Sequence, residues 1–232
     1  MIIERDAAYR VICSIRTPSQ GGKDEVGTGM FVARGNELFL VTASHVSRPS
    51  NANSYLILSD NKGAPTKAPL SHFCAANTWR HHPIADISAI QIIQTAQNQT
   101  LLQNRFYPYD HIEIAKTTPS RDVELTAIGF PLGLGAVGHF SPLSFRTYAA
   151  SGVISFNRAD TNMPCDFFCL ENPSIGGYSG GPIFDLGYMI VGMMTQMKEK
   201  TICYGFMHGT LSDNTGGKLA AVTPAFYLDG WL

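Results

Sequence analysis

Gly176-Gly177-Tyr178-Ser179-Gly180-Gly181-Pro182 is the stretch from which the rest of this chain is read. Glycines on both sides of one serine permit a tight loop in which several backbone N–H groups converge, because no Cβ blocks unusual dihedrals or close approach. Converging N–H donors form an anion site. A tetrahedral oxyanion at a carbonyl attacked by Ser179 would be stabilised there, by on the order of 3 kcal/mol per donor. A glycine-rich hairpin is the plain structural alternative. A phosphate-cradling loop is disfavoured, since no lysine follows as a P-loop requires and no helix-forming sequence begins there.

A serine hydroxyl is a poor nucleophile until an imidazole takes its proton, and the imidazole needs a buried carboxylate to fix its tautomer and stabilise its charged form. Outward from the loop, the chain offers one candidate for each. Phe39-Leu40-Val41-Thr42-Ala43-Ser44-His45-Val46 sets a histidine directly after a strand-like apolar run, where the ring can be held at the edge of a cleft. Ala85-Asp86-Ile87-Ser88-Ala89-Ile90 sets a carboxylate directly before an alternating strand. Alone, each reads more readily as a structural histidine or a turn aspartate. Together with the serine they make the chain order His45, Asp86, Ser179, spaced 41 and 93 residues apart, enough for His45 and Asp86 to come from one barrel and Ser179 from another.

Composition agrees with a β-rich enzyme. The 232 residues carry 17 Lys and Arg against 18 Asp and Glu, a net charge of −1 that leaves no electrostatic footprint for nucleic acid. Charged residues are 15% and hydrophobic ones 44%, which excludes disorder as a bulk description. Eleven β-branched or aromatic segments bounded by Gly, Pro, Asn or Asp read as strands: Arg10–Ser14, Gly29–Ala33, Leu38–Ala43, Ser54–Leu58, Ile87–Ile93, Glu124–Gly129, Ser151–Ser155, Phe167–Glu171, Pro182–Asp185, Met189–Gln196 and Cys203–His208. That number of short strands indicates an all-β sandwich or barrel. Thr223 to Trp231 is the best helix candidate, and polar Tyr107 to Arg121 reads as a connector between residues 1–115 and 116–232.

Nothing at the N-terminus has the basic head and apolar run of a signal peptide, and the longest apolar run, Tyr188 to Met194, is far too short to span a membrane. Five scattered cysteines favour reduced thiols over a disulfide framework, with one Cys165–Cys169 bridge left open. A soluble, cytoplasmic protein is the expectation.

Taken in order, these motifs resemble those of the trypsin/chymotrypsin-like serine endopeptidases: Thr42-Ala43-Ser44-His45, Asp86-Ile87-Ser88-Ala89 and Gly177-Tyr178-Ser179-Gly180-Gly181-Pro182. The chain is most similar to the disulfide-poor bacterial branch that includes the high-temperature-requirement proteases. That nearer likeness rests on Gly27-Thr28-Gly29-Met30-Phe31-Val32, on Ile128-Gly129-Phe130-Pro131-Leu132-Gly133 and on Ser151-Gly152-Val153-Ile154-Ser155. The resemblance implies an all-β fold of two six-stranded antiparallel barrels with a short C-terminal helix, and an active site in the cleft between them. It assigns His45, Asp86 and Ser179 as the catalytic triad and the N–H groups of Gly177 and Ser179 as the oxyanion hole. It also gives Thr195, Gln196 and Met197 as the edge that pairs with substrate, the Thr195 hydroxyl bonding Asp86.

The departures from the family pattern carry information too. Tyr178 stands where zymogen-activated members place an aspartate that pairs with a newly cleaved N-terminus, so that route of activation is closed. A regulatory extension after Leu232 is not expected, so such apparatus would be absent or lie on another chain, and restraint of a cytosolic protease would come from an activating partner or oligomer. The residue six before the nucleophile, which usually sets the base of the specificity pocket, is Pro173 and carries no charge. With Met193, Met194 and Met197 near the expected pocket strand, cleavage after a small-to-medium aliphatic residue is expected. Glu171 and His208 are further pocket candidates. No cofactor or metal is expected: neither Cys165/Cys169 nor His81-His82 has zinc-like spacing, the methionines read as packing, and His72, His111 and His139 read as loop residues. A catalytically silent or partner-activated module on the same barrels, binding other proteins, is the alternative.

Overall fold

In the computed structural model, residues 5–60, 62–75, 78–158, 160–198 and 200–232 are described, with only the backbone at 5–6, 188–191 and 195–196. Eight strands build the first sheet: β1 (Ile12–Pro18), β2 (Asp24–Arg34), β3 (Glu37–Thr42), β4 (Tyr55–Ser59), β5 (Pro65–Pro69), β6 (Arg80–His81), β7 (Ser88–Gln91) and β8 (Tyr107–Pro108). Their order is β5-β4-β1-β2-β3-β7-β6, antiparallel throughout except where β8 lies parallel to β2. Strands β6 and β8 are two residues each, so six substantial strands remain.

Alternation along these strands explains the high apolar content. Cys13 and Ile15 on β1, Phe31 on β2, Leu40 on β3, Leu56 and Leu58 on β4, Ala68 on β5 and Ile90 on β7 meet in one buried cluster. Because that cluster draws on β5 at one edge and on β7 near the other, the sheet curls around it as a barrel does. The intervening residues Ile12, Met30, Val32, Val41 and Ala89 point the opposite way, where they pack with Ile128, Phe130, Phe167, Phe184 and Phe206 of the second sheet. Burying a side chain of this size contributes about 1.5–3 kcal/mol. The same strands therefore fill their own barrel and glue it to the next.

The second sheet runs β10-β9-β13-β16-β17-β12-β11, with β9 (Leu125–Gly129), β10 (Leu143–Thr147), β11 (Ile154–Asn157), β12 (Pro164–Leu170), β13 (Pro182–Asp185), β16 (Ile202–Ser212) and β17 (Lys218–Pro224). A separate hairpin of β14 (Tyr188–Val191) and β15 (Met194–Met197) stands outside it. Its interior is Leu125, Ala127, Phe168, Leu170, Ile183, Met207, Ala220 and Val222.

Several expectations change. The segment Met189–Gln196 is not one strand but a hairpin, because the chain reverses at Gly192, whose φ is +60°. Among the described side chains, Met193, Met194 and Met197 do not pack in a core but are exposed. The helix expected over Thr223–Trp231 is a single 3-10 turn at Ala225–Leu228, since Thr223 and Pro224 still belong to β17. His111, read as a loop residue, is buried in a 3-10 turn over Tyr109–His111. All five cysteines are buried and none forms a disulfide, so the Cys165–Cys169 bridge is not made. No helix among the described residues is long and apolar enough to cross a membrane.

Candidate active site

Strand β3 ends at Thr42, and the chain turns into a one-turn helix, Ser44–Ser47, through extended Ala43. Ser44 fixes that turn in place: its hydroxyl donates to the Ile87 carbonyl at 2.8 Å and lies 2.9 Å from the Ser88 hydroxyl. The tether draws His45 onto the segment that leads into β7. Asp86 Oδ1 accepts the His45 backbone N–H at 3.0 Å, and Oδ2 lies 2.7 Å from His45 Nδ1. An ionised carboxylate only accepts, so Nδ1 carries the hydrogen and Nε2 is left as the basic nitrogen.

Asp86 is fully buried and would be hard to ionise by burial alone. Donors from His208 and His45 outweigh that cost and hold its carboxyl well below the usual carboxylate range. For His45, burial favours the neutral ring, but the hydrogen bond and charge of Asp86 win and raise it above its ordinary 6.5.

Ser179 comes from the second barrel. It shares with His45 a cleft of about 170 Å³, lined also by Val26, Val46, Gly176 and Gly177. Its hydroxyl donates to the His208 carbonyl at 3.3 Å. A larger cavity of about 570 Å³, beside Cys74, Arg80 and Gln91, contains none of the candidate residues.

The glycine loop is shaped by close approach. Gly177 has φ +106°, and a Cβ there would lie 2.2 Å from the Phe130 carbonyl oxygen; at Gly180, with φ +78°, it would lie 2.1 Å from Thr42 Oγ1. The Gly176 carbonyl accepts the Leu132 N–H at 2.7 Å. In a planar trans peptide the N–H points opposite to the C=O, so the Gly177 N–H faces away from the Leu132 loop. Among the described residues, neither the Gly177 nor the Ser179 N–H has a hydrogen-bond partner, and the Gly176 carbonyl is tied elsewhere. Tyr178 between them is buried, its ring edge-on to Phe145 at 5.1 Å.

Three residues at this centre were not assigned these roles from sequence. Thr28, buried on β2, donates its hydroxyl to the Gly177 carbonyl at 2.7 Å, accepts the Phe130 N–H at 3.1 Å, and uses its own N–H on the Ser179 carbonyl at 2.8 Å. His208 Nδ1 lies 2.6 Å from Asp86 Oδ2, and Arg158 Nη2 lies 3.3 Å from Oδ1. The Gly27-Thr28-Gly29 motif pointed at the first of these, but no local signal ties His208 or Arg158 to an aspartate 122 and 72 residues away.

Three residues were expected to form the substrate edge. Thr195, Gln196 and Met197 lie on β15, in the hairpin outside the second sheet, and the Thr195 side chain falls outside the described residues. The segment beside the nucleophile is on β16: Gly180 N–H donates to the Met207 carbonyl and Met207 N–H to the Gly181 carbonyl, both at 2.8 Å. His208 is turned onto Asp86. Pro173 is exposed, and the next residue, buried Ser174, offers its carbonyl to the Thr210 hydroxyl at 2.7 Å.

His45, Asp86 and His208 lie close enough together for one cation to reach all three. Yet Oδ2 of Asp86 already faces both Nδ1 atoms and the Arg158 guanidinium sits on Oδ1, so hydrogens and a resident cation serve that carboxylate.

The sequence matches the family model described as the trypsin-like peptidase domain over residues 27–193, more than half of the chain. The chain belongs to the trypsin-like peptidase family. By that family it is a peptidase. A sequence search of curated proteins found no match. Among solved structures, the active form of the Rv3671c protease from M. tuberculosis superposes with a TM-score of 0.61 at 16% identity, covering 97% of this chain and 80% of that one. The thermostable serine protease AL20 from an extremophilic microorganism gives 0.53 at 16% identity, covering 94% and 93%. A serine endoprotease from Yersinia pestis gives 0.52 at 18%, covering 97% and 63%. At such identities these likenesses speak for the fold.

Proposed function

We propose that this trypsin-like peptidase hydrolyses peptide bonds by acyl transfer through His45, Asp86 and Ser179. The observation that carries the reading is the His45–Asp86 pair at 2.7 Å, sharing one cleft with Ser179 and with the two unpartnered N–H groups of its loop. Ser179 turns from the His208 carbonyl to His45 Nε2, gives up its proton and attacks the substrate carbonyl. The oxyanion is held by the Gly177 and Ser179 N–H groups, and His45 protonates the leaving amine. Water then repeats the cycle on the acyl-enzyme.

Substrate backbone is placed on β16. That strand pairs with β13 only as far as Phe206, while β17 covers its other side, so His208–Thr210 present an open edge for strand addition. Beyond Ser179 the Thr210–Ser174 hydrogen bond spans the space where the side chain before the scissile bond enters. Together with uncharged Pro173, the span supports an uncharged, small-to-medium aliphatic residue there. Five buried cysteines without a disulfide support a reducing compartment.

A fluorophosphonate probe tests the chemistry: it labels the wild type at Ser179 and leaves Ser179→Ala unlabelled, and an unlabelled wild type refutes the triad. A peptide library tests the pocket, with dominant Arg, Lys, Asp or Glu before the cleaved bond refuting that part alone. A second reading, activation by a partner or oligomer, rests on the Ser179 hydroxyl being bonded to the His208 carbonyl. Cleavage of unfolded casein at full rate by the isolated chain discards it.

A further inference from the structure

Asp86 does not lie in a strand. It ends the bend between β6 and β7, so its position depends on tethers rather than on a sheet ladder. One tether is local, with His82 Nδ1 accepting the N–H groups of Ile84 at 3.1 Å and Ala85 at 2.8 Å. The other comes from the opposite barrel. We propose that Arg158, at the end of β11, is a positioning residue that holds Asp86 in register with His45; the proposal rests on the triad reading above.

The guanidinium is 2% exposed and its donors are directed. Nε and Nη2 fork onto Asp160 at 2.9 and 2.6 Å, Nη1 donates to the Ile84 carbonyl at 2.8 Å, and Nη2 reaches Asp86 Oδ1 at 3.3 Å. Asp160 already neutralises the arginine, so the two further contacts are not needed to compensate a buried charge. They grip the acid and the carbonyl two residues before it. The arginine's own backbone is closed by a turn, Arg158 N–H to the Met163 carbonyl at 2.8 Å and Asn162 N–H to the Arg158 carbonyl at 2.9 Å. With His45 N–H and Arg158 on Oδ1 and His45 and His208 on Oδ2, rotation of the carboxylate would break every bond at once. Two of those four contacts come from the second barrel, so the acid of the first barrel is aligned only when the two are docked.

Arg158 also acts on His45 by charge. The ring is faced by Asp86 from the β7 lead-in, by Arg158 and Asp160 from the β11–β12 turn, and by His208 from β16, with Arg48 4.0 Å from Asp160. Asp86 and Asp160 favour the imidazolium and Arg158 opposes it. As long as the two His45 contacts keep Asp86 on the ring, removing the cation makes His45 easier to protonate and moves the acid limb of the pH–rate profile to higher pH.

The test uses the full chain with Arg158→Met and Arg158→Lys, a chromogenic peptide substrate across the pH range, and thermal melts in parallel. Arg158→Met is expected to lower kcat on the order of 10- to 100-fold with KM little changed, and to move the acid limb upward. Arg158→Lys keeps the charge but not the fork, so it restores the limb and only part of kcat. Wild-type kcat and an unmoved limb in Arg158→Met overturn the assignment, as does a variant that loses only melting temperature. Should Arg158→Met not fold, Arg158→Lys decides: lowered kcat on an unmoved limb is expected, and unchanged kcat overturns it. A wild type that the fluorophosphonate does not label overturns the triad reading itself, whatever the variants do.

Discussion

Replacing Thr28 by Val should damage catalysis from the wrong side of the molecule. Thr28 belongs to the first barrel, yet its hydroxyl is buried against the loop that carries Ser179, bonded to the Gly177 carbonyl at 2.7 Å and to the Phe130 N–H at 3.1 Å. Valine matches the shape and leaves both groups without that partner. A buried polar group left unsatisfied costs about 1–3 kcal/mol, so the two together cost about 2–6 kcal/mol. At roughly 2–4 °C per kcal/mol for a chain of this length, melting temperature falls by about 4–24 °C. Part of the effect is catalytic. Freeing the Gly177 carbonyl lets the adjoining peptides rotate and misaligns the Gly177 N–H, and the loss of one oxyanion donor costs on the order of 10²–10³ in kcat. Thr28→Ser keeps the hydroxyl and should retain most of kcat. Steady-state kinetics on a chromogenic peptide, with melts confirming the folded state, measure both effects. A folded Thr28→Val enzyme with kcat within about threefold of wild type would refute the reasoning.

Activity should fall on acidification as His45 protonates, with the limb above 6.5 because Asp86 favours the imidazolium; Asp86→Asn should move that limb to lower pH and reduce kcat on the order of 10⁴-fold, read from pH–rate profiles. The depressed Asp86 carboxyl stabilises the fold fully above its unfolded value near 3.8 and loses that contribution as pH falls below it, so an acid-unfolding titration of Asp86→Asn should lack this step. Gly180→Ala places a methyl group 2.1 Å from Thr42 Oγ1 at φ +78°, and should cost at least about 3 kcal/mol in a denaturant melt; a wild-type midpoint would contradict the packing described. Thr210→Gly removes the span to Ser174 and should shift a peptide library towards larger residues before the scissile bond, with an unchanged profile showing that the span does not limit the pocket.

Where the sequence was readable, the signal was local. Phe39–Val41 and Pro182–Asp185 announce strands because apolar and β-branched residues sit between turn formers, and Gly177 and Gly180, which bracket Tyr178-Ser179, are glycines because a Cβ would strike the Phe130 backbone or Thr42. Strand β17 was hidden for the same reason in reverse: Lys218–Pro224 contains only one β-branched apolar residue and runs into a stripe that mimics a helix. The methionine run at 193–197 looked like core because hydropathy does not reveal that Gly192 turns the chain back on itself.

The amino-acid order by itself pointed to side chains with the chemistry of a nucleophile, a base and an acid, set in turns beside short strands. Tertiary structure alone decided who holds them. Thr28 reaches from the first barrel into the serine loop, while His208 and Arg158 reach from the second onto Asp86. Contacts between residues 72 to 149 positions apart leave no periodicity or spacing to read, because they exist only once two separately curled sheets bury a common face.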